Sequence, residues 1–295
     1  MSKRILLTGS NGFIGRNIKE SYLSKKYEID TPSRAELNLI EDESVDEFFR
    51  SKEYDLVIHC ACKPGHRNAK DRNNLFYSNI RMFENLQRHR DKYNKLINFG
   101  SGAIYDQNGD IVSAKEEDLL KKMPKDEHGF CKYMIYKEIK NLDNFIDLNI
   151  FGIFGYYEDY EIRFISNAIC KAIFNLPITL RQNRIFSYIY IEDLIPILEY
   201  IIENKMNYKS YNIVPDEKTS LLDIAKTVKK VSGRDIEIKV AKAGFGLEYT
   251  GSNSLLKKEI KGLKFNKIED SIKKLYNKYI ENQNKIEKSL LLIDK

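Results

Sequence analysis

The chain has 295 residues and a formal net charge of +6, from 49 Lys and Arg against 43 Asp and Glu. Apolar residues make up 42%, enough for a full core, and the 31% of charged residues alternates in sign along most of the length, unlike the one-sided basic face of a nucleic-acid binder. Cys60, Cys62, Cys131 and Cys170 lack the paired spacing of a zinc site and suit reduced, mostly buried thiols in a cytoplasmic protein; no apolar run approaches the roughly 18 residues of a membrane span, and none reads as a signal peptide, so no membrane partner is expected.

Ile5-Leu6-Leu7 is a short apolar strand that ends at a glycine-rich turn, and Phe13 to Leu23 reads as a helix with Ile14, Ile18 and Tyr22 on one face. Tyr27 to Ile29 is a second strand. Ser44 to Phe49 is helical, with Val45, Phe48 and Phe49 inward, and Asp55 to Cys60 is a buried strand. Asn79 to Tyr93 is a long helix, and Lys95 to Phe99 returns as a strand. This alternation predicts an α/β fold, a Rossmann-type doubly wound parallel sheet. Past residue 155 the rhythm changes. Helices are expected over Ile162–Phe174, Ile195–Glu203, Leu221–Val231 (capped by Thr219-Ser220) and Ile268–Ile280, with Tyr188 to Ile191 strand-like. Residues 1–155 and a returning segment of about 183–214 are read as the dinucleotide domain, and 156–182 with 215–295 as a smaller C-terminal α/β substrate lobe. The basic pairs Lys257-Lys258 and Lys273-Lys274 read as solvated helix surface.

Thr8-Gly9-Ser10-Asn11-Gly12-Phe13-Ile14-Gly15 carries the strongest signal, three glycines spaced G-x-x-G-x-x-G between a strand and a helix. Glycine permits the tight turn, the close approach of backbone to a pyrophosphate and close helix–strand packing. The helix N-terminus offers unpaired N–H groups to the phosphates. At the end of the second strand an acidic residue would favour NAD(H) and an arginine NADP(H). Asp30 lies early for that role, whereas Ser33-Arg34 stands where a 2′-phosphate would be grasped. The always-charged guanidinium binds phosphate through two hydrogen bonds, so NADP(H) is preferred and NAD(H) remains possible.

These residues, with Arg34-x-Glu36-Leu37-Asn38-Leu39, Asp55-x-Val57-Ile58-His59-Cys60-Ala61, Ser101-x-x-x-Tyr105, Tyr190-Ile191-Glu192-Asp193-Leu194 and Tyr211-Asn212-Ile213, resemble the extended short-chain dehydrogenase/reductases, within them the GDP-fucose synthase-like nucleotide-sugar branch of the epimerase/dehydratases. The resemblance implies cofactor contacts from Gly9, Asn11, Gly12, Phe13, Ile14, Gly15, Arg34, Asn38, Leu39 and Ala61. It also implies a Ser, Tyr and Lys acting together: the Tyr shuttles a proton to the sugar oxygen, the Ser hydrogen-bonds that oxygen, and the Lys, four residues after the Tyr on one helix face, binds the nicotinamide ribose.

Ser101 matches the serine. The Y-G-x-S-K segment corresponds to His128-Gly129-Phe130-Cys131-Lys132, so Lys132 keeps its place and His128 stands for the tyrosine. Tyr133 with Lys137 is the alternative pair, but on a helix Tyr133 points about 140° away from His128; Tyr136 lies one turn beyond Lys132. A histidine can donate a proton as imidazolium or accept one as imidazole, and Lys132 beside it depresses its pKa. Altered acid–base chemistry, slow turnover, a cofactor-binding protein without turnover and a merely capping histidine all stay open.

On the substrate side the resemblance points to Ser101, Gly102, Arg163, Asn167 and Arg184 around a nucleotide diphosphate; arginines hold pyrophosphate through paired hydrogen bonds. It implies NADPH-dependent reduction of a nucleotide-linked 4-keto sugar, with an NAD-dependent 4-epimerase or a non-catalytic dinucleotide-binding regulator or partner subunit as alternatives. Gly102 and Ala103 stand where a dehydratase carries an acidic pair. The helices Asn79–Tyr93 and His128–Phe145 resemble those of a four-helix dimer interface, implying a homodimer.

Overall fold

The computed structural model describes residues 2–293; Met1, Asp294 and Lys295, the outermost residues of the expected domain ranges, lie outside the described residues. Along the chain β1 (Arg4–Thr8), α1 (Phe13–Glu20), α2 (Leu23–Lys26), β2 (Glu28–Asp30), α3 (Asp42–Phe49), β3 (Tyr54–His59), α4 (Leu75–Arg88) and β4 (Tyr93–Ser101) alternate strand with helix. Then come β5 (Ile111–Ala114), α5 (Glu127–Ile139), β6 (Phe145–Ile150), β7 (Gly152–Phe154), α6 (Phe164–Ile173), β8 (Ile178–Asn183), β9 (Ile185–Phe186) and β10 (Tyr188–Tyr190). The rest is α7 (Ile191–Glu203), β11 (Ser210–Ile213), β12 (Thr219–Ser220), α8 (Leu221–Ser232), β13 (Ile238–Phe245), β14 (Tyr249–Gly251), α9 (Ser254–Glu259) and α10 (Ile268–Glu281).

Six strands form one sheet in the order β11-β6-β4-β3-β1-β2, every pair parallel. Parallel strands covered on both faces must be apolar on both, and β1 is: Ile5 and Leu7 join one core cluster and Leu6 the other. The first cluster takes Ile18 of α1, Ile165 of α6 and Leu194 of α7; the second takes Val45 of α3, Phe83 of α4 and Ile135 of α5. The molecule is thus a doubly wound α/β/α sandwich. Each such aliphatic side chain contributes about 1.5–3 kcal/mol by leaving water, so Leu6→Asp would break the sheet's centre. The strand order reverses at β1 and β3, and the crevice outside their carboxyl ends is where open α/β sheets bind ligands.

Several boundaries differ from expectation, for local reasons. The first helix stops at Glu20, so Tyr22 is 47% exposed instead of inward. The helix expected over Asn79–Tyr93 runs Leu75–Arg88 because Tyr93 belongs to β4: its buried ring lies beside Phe49 and Phe145, and its hydroxyl donates to Leu86 O at 2.6 Å. The helix expected over His128–Phe145 ends at Ile139; Asn144 turns the chain with φ of 58° and Phe145 opens β6. Only Cys131 and Cys170 are buried; Cys60 is half-buried and Cys62 exposed. No helix among the described residues is long and apolar enough to cross a membrane.

The C-terminal elements return to the first half twice. β11 closes the edge of the main sheet beside β6. β14 pairs with β5 and β9, which brings Tyr249 beside Gly102 at the carboxyl end of β4.

Candidate active site

The glycine turn is shaped by backbone contact. Gly9 has φ of +68°, and a Cβ there would lie 2.5 Å from Ala61 N; one on Gly15 would lie 2.3 Å from Gly9 O. Gly12 N–H donates to Gly9 O at 3.0 Å, and α1 starts with no side-chain cap, so its first amides are available to an anion. Thr8 ties the two strand ends together: its hydroxyl shares a 2.8 Å hydrogen bond with His59 Nδ1 and accepts from Ala61 N–H at 3.3 Å. Burial, reinforced by Lys132, pushes His59 down to about 3, so the ring stays neutral.

Beside this turn lies a cavity of about 630 Å³ lined by Gly9, Pro32, Arg34, Asn38, Leu39 and Ala61, among others. Arg34 is exposed at its mouth. Asp30 is engaged elsewhere, accepting from Tyr54 OH at 2.5 Å with Lys52 at 3.7 Å. The one carboxylate in the lining, Asp71, is held by Lys63 at 2.6 Å. The rim therefore presents a free guanidinium and no free carboxylate, the setting that favours a 2′-phosphate. Asn11 is exposed on the turn.

A second cavity, about 560 Å³, shares Cys62, Pro64 and His66 with the first. Phe13, Ile14, Ser101, His128, Lys132, Arg163 and Arg184 all line it. Ser101 ends β4 and its Oγ accepts from Ala103 N–H at 3.2 Å, which leaves its own proton to donate. α5 is capped by Asp126, whose carboxylate accepts from Gly129 N–H at 2.8 Å. That cap sets His128 and Lys132 one turn apart on the cavity side. Burial, then Lys132 and Arg163, drives the half-buried His128 down to about 4, with Asp126 opposing. Buried Lys132 Nζ donates to Phe99 O at 2.7 Å. Behind it Asp147 is fully buried, accepts from Asn98 at 2.6 Å, and is pushed up to about 6 by burial despite Asn98 and Lys132.

The alternative pair is not among the residues lining this cavity. Tyr133 stacks on Phe130 with centroids 6.4 Å apart and packs against the Ile104–Tyr105 cluster, while Lys137 is exposed. Tyr136 also packs into the core. Asn167 is turned into structure: its amide donates to Tyr160 O and Glu161 O at 3.0 and 3.2 Å. Gly102 is buried, and a Cβ on it would meet the Phe151 ring and the Tyr249 hydroxyl. Arg184 lies over Phe186 and donates through Nε to Leu247 O at 2.7 Å.

Residues 5–214 match the NAD dependent epimerase/dehydratase family. The chain belongs to this family. GDP-L-colitose synthase of Yersinia pseudotuberculosis is 24% identical over 254 residues, 78% of this chain and 82% of that protein. In structure the chain resembles MlghC, the GDP-mannoheptose C4 reductase of Campylobacter jejuni with NADP bound, at 20% identity and a TM-score of 0.78, covering 95% of this chain and 98% of that one. It also resembles a GDP-L-fucose synthetase from Naegleria fowleri, with 17% identity, a TM-score of 0.82 and coverage of 98% and 96%.

As a member of this epimerase/dehydratase family the chain is an NAD(P)-dependent enzyme. The family pattern, however, points to only part of the second cavity. Gln107, Asp126, Glu158, Tyr188 and Tyr249 also line it. Glu158 is buried, accepts from Ser166 at 2.6 Å and is pushed up to about 8 by burial, so it keeps its proton near neutrality. Asp126 is marked by its place as the cap ahead of α5; none of the others stands at a spacing that marks it in the sequence, and the fold alone gathers them.

Proposed function

We propose that the chain is an NADPH-dependent reductase of a nucleotide-linked 4-keto sugar. The observation that carries this reading is the junction of the two cavities: one has Arg34 at its rim, and the other gathers Ser101, His128, Lys132, Arg163 and Arg184. The relatives named for GDP-linked sugars, and the NADP-bound neighbour, support the substrate class and cofactor. When bound, the cofactor supplies hydride.

In this reading the glycine turn and the amides of α1 hold the pyrophosphate and Arg34 the adenosine 2′-phosphate. Lys132 exchanges its bond to Phe99 O for the nicotinamide ribose, and Ser101 donates to the sugar carbonyl oxygen. Arg163 and the half-buried Arg184 pair with the sugar nucleotide's diphosphate. Residues 1–155 with 183–214 serve the dinucleotide, and the remaining segments form the substrate lobe. We infer a cytoplasmic homodimer joined through α4 and α5, which pack side by side and leave Tyr77 60% exposed.

The test mixes purified protein with NADPH or NADH and a panel of nucleotide-linked 4-keto sugars, following nicotinamide absorbance and the sugar product. Stoichiometric NADPH oxidation is expected. A changed sugar without net oxidation would instead establish an epimerase, and firm cofactor binding with no change in either would point to the non-catalytic regulator.

A further inference from the structure

The family's motif leaves the reaction without its tyrosine, and the fold brings another to the same place. Tyr249 opens β14, more than a hundred positions after Lys132, and reaches the carboxyl end of β4 because β14 pairs with β5 and β9. It lines the second cavity with Ser101, Gln107, Asp126 and His128. Its hydroxyl faces the Ser101 and Gln107 side chains, both of which favour its charged form. The ring is fixed by Phe151 at 5.0 Å and Phe186 at 5.9 Å. Gly102, directly after Ser101, makes room for it: a Cβ there would lie 2.7 Å from the Tyr249 hydroxyl.

We propose that Tyr249, not His128, gives the proton to the substrate oxygen held by Ser101. This inference rests on the reductase reading. Reduction of a ketone adds hydride to carbon while the C=O π pair moves to oxygen. The new O–H bond forms as the Tyr249 O–H bond breaks, and the phenolate, accepting from the Gln107 amide, regains its proton from water. Hydride comes from the reduced nicotinamide.

The protonation states of the two groups agree with the placement of the Tyr249 hydroxyl. His128 is pushed to about 4, by burial first and then by the positive charges of Lys132 and Arg163 against Asp126. At pH 7 its imidazolium is about one molecule in a thousand, each pH unit being tenfold. Tyr249 is buried and raised to about 12, so its proton is present throughout the neutral range. A phenol is still a stronger acid than the alcohol that forms, so the transfer runs downhill.

The test compares Tyr249→Phe with His128→Gln in NADPH oxidation, NADPH affinity by fluorescence, and the titration of the Tyr249 Cζ resonance in protein labelled with ¹³C-tyrosine. Tyr249→Phe keeps the ring packing. We expect it to lose about 10²–10⁴-fold in kcat with NADPH affinity unchanged, and His128→Gln to lose under tenfold. We also expect the resonance missing from Tyr249→Phe to titrate at lower pH when NADP⁺ is bound, because the positive charge of a nicotinamide held in this cavity would favour the phenolate. Turnover retained in Tyr249→Phe but lost in His128→Gln would overturn the inference and leave the reductase standing. Wild-type protein that reduces no sugar, yet shows the NADP⁺-dependent titration, would sink the reductase reading and keep Tyr249 at the nicotinamide. No turnover and no response to NADP⁺ would remove both.

Discussion

At the phosphate end of the cleft, Gly9, Gly12 and Gly15 come from one turn, and what they contribute is the absence of side chains: a Cβ would lie 2.5 Å from Ala61 N on Gly9 and 2.3 Å from Gly9 O on Gly15. At the sugar end, Ser101, His128, Arg163, Arg184 and Tyr249 come from parts of the chain spread over well over a hundred positions, and what they contribute is side-chain chemistry. A site made of backbone tolerates no added atom but hardly depends on charge. A site made of side chains from many elements keeps its fold when one is changed and loses function instead.

The largest expected effect tests the first half of that contrast. Gly15→Val places a branched Cβ against Gly9 O, which an unsubstituted Cβ would already approach to 2.3 Å, and Ser10 Cα at 2.9 Å. Neither is a flexible side-chain end, so the turn must open. NADPH affinity should fall by more than 100-fold, with a lowered Tm in the same sample. An unchanged affinity in a dye-free titration would mean that the pyrophosphate sits elsewhere. Next comes Lys132→Met, which keeps the stem and removes the charge from a buried position. Turnover should fall by about 100-fold or more, and the His128 imidazole, relieved of a positive neighbour, should titrate at higher pH by NMR. If His128 did not move, the two side chains would not be neighbours in solution.

The pH dependence of folding follows from the same neighbours. His128 has a folded pKa of about 4 against an ordinary value of 6.5, so the unfolded chain binds the proton more readily. The associated stability is fully present above about pH 6.5 and is lost as pH falls toward 4. His128→Gln should therefore flatten the Tm-versus-pH curve between pH 6.5 and 4 while leaving Tm at pH 8 little changed. Glu158, raised to about 8 by burial, acts in the opposite window: the unfolded chain releases its proton first, so stability falls as pH rises from about 4.5 to 8. Glu158→Gln should remove that decline.

What was legible in the sequence divides along the same line. The glycine turn, Arg34, Ser101 and the His128–Lys132 stretch are readable because local spacing sets them: a strand–turn–helix, a strand end and one helical turn. Tyr93 and Phe145 open strands where the periodicity predicts helix, because an aromatic side chain fits a helix face as well as a strand and only tertiary packing decides; at Tyr22 the helix has already ended and the ring stays exposed. The amide of Asn167, which the resemblance places on the substrate side, donates to the Tyr160 and Glu161 carbonyls, a loop contact no pattern announces. Tyr249 is one tyrosine among 19. Its position depends on β14 joining β5, a pairing across more than a hundred residues.

Arg34 gives the smallest effect and separates the two kinds of construction most finely, since it is a side chain standing at the backbone-built end. It is exposed, and Asp30 near it is committed to Tyr54 and Lys52. An exposed charge pair is worth about 1 kcal/mol, and a bidentate guanidinium–phosphate contact somewhat more. Arg34→Ala should therefore weaken NADPH binding by about tenfold, the equivalent of about 1.4 kcal/mol, and leave NADH binding unchanged, because only NADPH carries the 2′-phosphate. The difference between the two cofactors should shrink as salt is raised, screening the contact. Equal losses for both would place Arg34 on the pyrophosphate or the fold and return the cofactor preference to NAD(H).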